Sequence, residues 1–225
     1  MEYETVMTRL VAMESVGGVE GMRRFGIDTS TALGITLPAL RKLAKEIGTD
    51  QKMSLKLWDS GVHEGMVLAT ILGDPKKVSD RQLERWVHGI NSWDICDSAC
   101  GNLFWKTDFA LDKAAKWSTR KPEFEKRAAF SLMAYMAVHR KEFGDDVFSG
   151  FLPLIVRESA DDRNFVRKAV NWALREIGKR NANLNRIAIK TAEDLKESEL
   201  KSARWIGSDA YRELTGDVVQ QRLSR

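Results

Sequence analysis

A chain of 225 residues that is 43% hydrophobic can bury a sizeable core, and its four prolines, with no Ser/Gly-rich or charge-block stretch, give no linker, so a single domain over 1–225 is expected. The formal charge of +4 is uneven: from residue 110 onward 23 Lys and Arg face 17 Asp and Glu, against 13 and 15 before it, which suits a polyanionic partner or a merely solvated surface. The start, MEYETVMTRLVAME, has acids where a secretion signal needs bases, and no segment nears the ~20 apolar residues of a membrane span, so a soluble, cytoplasmic protein with no membrane partner is expected.

Helical periodicity recurs along the whole chain, and no alternating strand pattern interrupts it. The pattern predicts helices over 3–15, 18–25, 37–47, 51–59, 62–73, 79–89, 92–105, 108–118, 122–139, 143–158, 162–179, 182–196, 199–214 and 216–223. Turn signals between them include Gly34, Gly48-Thr49-Asp50, Gly73-Asp74-Pro75, Arg120-Lys121-Pro122 and Gly144-Asp145-Asp146. Several helices open on charged residues and continue into small and apolar ones, as in His63-Glu64-Gly65-Met66, Phe124-Glu125-Lys126-Arg127-Ala128, Phe165-Val166-Arg167-Lys168-Ala169 and Leu200-Lys201-Ser202-Ala203-Arg204-Trp205. They recur at roughly 30 to 40 residues, the range of HEAT-like repeats. The fold class expected is therefore all-α, a HEAT-like helical-repeat superhelix forming one curved domain. Its concave face would be lined by the second helix of each pair and could wrap duplex DNA. An irregular helical bundle is the other arrangement such helices allow.

Some residues do not read as core. Around 91–102, Asn91 or Ser92 is a natural N-cap and Asp94 falls in the first turn, where a carboxylate answers the helix dipole. Asp97 has no such explanation. It lies one turn beyond Trp93 on the same face, among Ala99, Cys100 and Gly101, as a pocket would be built. Arg127, opening the apolar run of 122–139, needs a partner, either a carboxylate or a phosphate. In 162–179 the apolar stripe is Phe165, Val166, Ala169, Val170, Ala173, Leu174 and Ile177. Trp172 sits off it, in line with Lys168, Arg175 and Lys179. That exposed row suits phosphate neutralisation with an aromatic plate, or Trp172 simply covers a neighbouring helix. Cys96 and Cys100 read as small buried residues, too few for a zinc site and poorly placed for a disulfide. His63, His88 and His139 are scattered, and Gly17-Gly18-Val19-Glu20-Gly21 lacks the lysine and preceding strand of a phosphate loop.

Taken together these residues resemble the AlkD-type DNA alkylation repair glycosylases, a family of HEAT-like superhelices. The matching motifs are Trp93-Asp94-x-x-Asp97, Lys126-Arg127-Ala128-Ala129 and Lys168-Ala169-x-x-Trp172-x-Leu174-Arg175-Glu176, with Phe25-Gly26-Ile27 and Gly34-Ile35-x-x-Pro38-x-x-Arg41 near the start. The correspondence runs from about residue 20 to 215, and its specificity lies in the order and spacing of short motifs. It implies that Trp93 and Trp172 are cleft tryptophans, Asp97 the catalytic carboxylate and Arg127 a backbone-gripping arginine. Ser92 stands where family members can carry a second tryptophan, and Phe25 where a tyrosine can occur; both bear on the range of lesions.

The resemblance implies release of cationic alkylated purines from double-stranded DNA, without drawing the base into a deep pocket. Lys168, Arg175 and Lys179, with Arg127, would hold phosphates. No metal or other cofactor is expected, nor a Schiff-base lysine, so the enzyme would be monofunctional, a monomer, and nucleoid-associated when on DNA. Two other readings stay open: a HEAT module that binds DNA structures or lesions without cleaving anything, and a protein–protein scaffold.

Overall fold

The computed structural model describes residues 1–224, which carry fifteen α-helices, one 3-10 turn and no strand. They form two compact units, 1–108 and the chain from Phe109 onward. The first holds α1 (Tyr3–Val11), α2 (Val16–Arg24), α3 (Leu37–Ile47), α4 (Gln51–Asp59), α5 (His63–Leu72), α6 (Asp80–His88) and α7 (Trp93–Asn102), then the 3-10 turn Phe104–Lys106. The second holds α8 (Ala110–Trp117), α9 (Glu123–His139), α10 (Asp145–Ser149), α11 (Leu152–Glu158), α12 (Asn164–Gly178), α13 (Ala182–Lys196), α14 (Lys201–Leu214) and α15 (Asp217–Leu223).

Local chemistry sets most boundaries. Ser15, Asp50, Ser79 and Asn181 cap α2, α4, α6 and α13, each side chain accepting from an amide N–H three residues on. Three predicted helices end differently. The span 3–15 stops at Val11, because Ser15 starts the next helix and its N–H donates to Leu33 O at 2.8 Å. The span 92–105 stops at Asn102, where Leu103 leaves the helical region (φ −128°) and the 3-10 turn buries Phe104. The span 143–158 divides into α10 and α11. Pro153, in the first turn of α11, has no N–H to continue the ladder.

Within each unit, equivalent helices of successive repeats stack in parallel at a fixed offset. In the first, α5 packs against α3, α4 and α7. His63 pairs with Asp94, and Thr70 Oγ1 accepts from Asn102 Nδ2, offsets of 31 and 32 residues. In the second, Arg127 Nη1 donates to Phe165 O and Asn171 Nδ2 to Asp209 Oδ2, both offset by 38. This is the irregular period of the sequence seen as contacts, and it places α9, α12 and α14 side by side. Leu57, Leu68, Trp86 and Phe104 are fully buried in the first core; Phe130, Met133, Leu174 and Ile206 are fully buried in the second.

Two details lock the second unit. Arg180 donates to Ala137 O, Arg140 O, Lys141 O and Phe143 O, and its guanidinium lies 4.2 Å from the Phe148 ring centre. It thereby satisfies carbonyls that α9 leaves open at its C-terminus. Gly207 lets α14 press against α13: a Cβ there would stand 2.5 Å from Ala192 O and 2.6 Å from Lys196 N.

Candidate functional site

In the first unit the site is built at the start of α7. Ile95, Cys96, Ala99 and Cys100 form its core-facing stripe. Both cysteines are buried, as the sequence suggested, and neither is in a disulfide. The remaining face carries Trp93, Asp97 and Gly101, one turn apart each, about 6 Å along the axis. All three are half-buried, so Asp97 lies on the open side of the helix rather than in the core. The Trp93 indole is fixed, its Nε1 donating to Phe25 O at 3.1 Å. The Phe25 ring itself is 73% exposed, so only its backbone serves this contact.

The segment 25–36 that carries Phe25 has no regular structure, and side chains from α5, α7 and the turn before α7 hold it. Asn91 Nδ2 donates to Asp28 Oδ2 at 2.8 Å, while Asp28 Oδ1 accepts from Ser30 N at 2.9 Å. Glu64, 1% exposed, accepts from Leu33 N and Gly34 N at 2.7 Å each and from Ile35 N at 3.2 Å. Gly34 (φ +75°) is required there, since a Cβ would lie 2.2 Å from Ser15 O.

Asp94 does more than answer the dipole. Its Oδ2 lies 2.7 Å from Nε2 of the buried His63, and its Oδ1 accepts from Ser92 Oγ at 2.7 Å. Burial pushes the Asp94 carboxyl up, but the hydrogen bond and charge of His63, with Ser92 Oγ and the Ile95 N–H, outweigh it and hold the group below its ordinary 3.8. Ser92 thus occupies the N-cap position of α7 without making a side-chain cap, because its hydroxyl is spent on Asp94. Beyond the helix, Trp105 Nε1 donates to Gly101 O at 2.9 Å and Lys106 Nζ lies 5.8 Å from the Trp105 ring centre. Trp105 thereby extends the Trp93–Asp97–Gly101 face, although nothing in its sequence context set it apart from a core tryptophan. His63 was equally hidden, because its partner is 31 residues away.

In the second unit, Trp172 is half-buried on α12 and meets Tyr135 of α9 edge-on, ring centres 5.1 Å apart. Tyr135 in turn stacks on His139 at 6.2 Å. Trp172 therefore does cover a neighbouring helix while keeping part of its indole open. Arg127 is 6% exposed, and its Nη1 donates to Phe165 O at 2.7 Å, a bond that ties α9 to α12. Its neighbour Lys126 pairs with Glu158 and, at 3.2 Å, with Asp161.

The exposed cationic row expected along α12 is corrected by the structure. Lys168 is exposed. Arg175 instead pairs with Asp209 at 3.1 Å and Glu213 at 2.9 Å, and Lys179 with Glu176 and Glu213 at 2.7 Å each. The reason is the parallel stacking of α12 on α14, which lays the acids of α14 beside the cations of α12. Sequence periodicity on one helix cannot show them.

Among the described residues no three His, Cys, Asp or Glu side chains gather as metal ligands, and no helix is long and apolar enough to cross a membrane. A search of curated proteins found no match. A solved structure is similar over 99% of this chain and 96% of its own, with TM-score 0.83 and 22% identity; it is described as "A new family of proteins related to the HEAT-like repeat DNA glycosylases with affinity for branched DNA structures". That likeness identifies the fold as HEAT-like. The family model described as "DNA alkylation repair enzyme" matches residues 6–214, nearly the whole chain. The chain belongs to the DNA alkylation repair enzyme family.

Proposed function

We propose that the protein is a monofunctional DNA glycosylase for cationic alkylated purines in double-stranded DNA, with Asp97 as its catalytic residue. The observation that carries this reading is the open face of α7, where the half-buried Asp97 follows by one turn an indole pinned to Phe25 O. A purine alkylated at N7 or N3 carries positive charge and leaves readily. When its bond to C1′ breaks, the electron pair goes to the base and neutralises it, while the sugar becomes oxocarbenium-like. The Asp97 carboxylate would stabilise that cation and orient a water, whose oxygen bonds to C1′ as its proton passes to Asp97 or to solvent. The Trp93 π face would favour the cationic nucleotide by about 1–2 kcal/mol once water is excluded. α7 holds no lysine for a Schiff base. In the second unit, Lys168, the open part of Trp172 and Arg127 would meet the DNA, while Arg175 and Lys179 act mainly by fixing α12 against α14.

Release of 7-methylguanine or 3-methyladenine from methylated duplex DNA tests this. Asp97→Asn is expected to lower release by orders of magnitude with duplex affinity retained; a wild-type protein that releases nothing refutes the reaction. One observation favours a second reading, a binder of DNA structures without catalysis: the similar protein is described by its affinity for branched DNA. Tight binding to a four-way junction, with no base released from any substrate, would establish that reading instead.

A further inference from the structure

The seam between α12 and α14 changes character along its length. Its C-terminal half is closed by ion pairs, Arg175 and Lys179 with Asp209 and Glu213. The N-terminal half has none: among the described residues no carboxylate pairs with Arg167, Lys168, Lys201 or Arg204 (the last donates to Ser198 O and Glu199 O). Lys168, Lys201 and Arg204 are exposed. Arg167 stacks its guanidinium over Trp205, 4.6 Å from the ring centre, and its Nε, shut off from solvent, lacks an acceptor. Trp205 is nevertheless 37% exposed.

Arg167, half-buried, and the exposed Lys168 and Lys201 thus carry charge that no carboxylate answers among the described residues, and phosphate oxygens would answer it with charge-assisted hydrogen bonds. Lys201 precedes Trp205 by one turn on the same face, and the positive ends of both helices lie at this end of the seam. The cations therefore select an anionic polymer. The exposed indole narrows it further: bases inside a duplex are already stacked on both faces and offer none to an indole, whereas an unpaired base does. We propose that the Arg167–Trp205 corner binds an unpaired nucleotide, such as the single-stranded arm of an overhang or flap. The base stacks on Trp205, and its flanking phosphates lie against Arg167, Lys168 and Lys201. The proposal rests on the reading of the chain as a DNA-binding protein and adds a preference for strand ends that base excision does not require.

The test compares a blunt duplex with the same duplex carrying a short oligo-dT overhang, by fluorescence anisotropy. Wild-type protein is expected to bind the overhang about tenfold more tightly, the size of one base–aromatic stack. Trp205→Ala should abolish that preference and Trp205→Phe keep most of it. A 2-aminopurine in the overhang should be quenched by the wild-type protein and not by Trp205→Ala. Equal wild-type affinity for both DNAs overturns the proposal whatever the variants do, and so does a Trp205→Ala that weakens both by the same factor. Overhang preference without release of methylated bases refutes only the glycosylase reaction; release without overhang preference refutes only the corner.

Discussion

Replacing Glu64 by alanine tests whether the irregular segment 25–36 is held as the structure indicates. The carboxylate is 1% exposed and accepts three backbone N–H bonds, two of 2.7 Å from Leu33 and Gly34 and one of 3.2 Å from Ile35. Removing it leaves the amides of Gly34 and Ile35, both buried, without an acceptor, while the half-buried Leu33 can recover water. Each orphaned buried donor costs about 1–3 kcal/mol, so the two together cost about 2–6 kcal/mol. For a chain of this size that is a fall in melting temperature of about 4–24 °C. Urea unfolding followed by tryptophan fluorescence measures the loss, and amide exchange at residues 33–35 localises it. Glu64→Gln, which keeps one carbonyl acceptor, should lose roughly half as much. A Glu64→Ala protein within about 1 kcal/mol of wild type, or unchanged protection of those three amides, would refute the reasoning. Because the same segment presents Phe25 O to Trp93, the variant should also loosen the indole on the proposed reaction face.

Asp94, held below its ordinary 3.8, contributes stability that is complete above that value and is lost as pH falls through its lower folded value. Urea midpoints measured from pH 7 down to pH 3 should therefore drop at the acid end, and Asp94→Asn should be weaker at neutral pH with a flatter acid limb; identical limbs would contradict it. Lys168→Ala should reduce the salt slope of duplex binding by about one, whereas Arg175→Ala should leave the slope intact and cost only about 1 kcal/mol of stability, because Asp209 keeps Asn171 and Arg212 and Glu213 keeps Lys179. Gly207→Ala should destabilise by about 1–3 kcal/mol despite alanine's better helix propensity, since its methyl would meet Ala192 O and Lys196 N; a more stable variant would show that α13 and α14 can separate freely.

The helices were legible because their apolar periodicity is local. The errors fell where a long-range partner or a missing amide decides the outcome, as at Ser15 with Leu33 O and at Pro153. Trp93 and Asp97 could be placed on one face from spacing alone, and the structure puts both there. The row Lys168, Arg175 and Lys179 shares a face of its helix too, yet the two cations nearest the C-terminus are met by acids 34 residues further along the chain. Arg127 had to have a partner, but a carbonyl of Phe165 is chemically silent in a sequence. Arg167 and Trp205 stood in motifs already noticed as repeats, and only their contact across two helices shows them as a pair.

Position 25 divides its labour between main chain and side chain. The carbonyl anchors an indole, and any amino acid supplies a carbonyl; the side chain is mostly in solvent. Substitution at this residue can therefore change what the surface says to an approaching polymer while the anchorage of Trp93 stays as it is. A tyrosine, a phenylalanine or a smaller residue can be exchanged here with separable effects, so that surface chemistry and structural integrity are free to vary independently at a single codon.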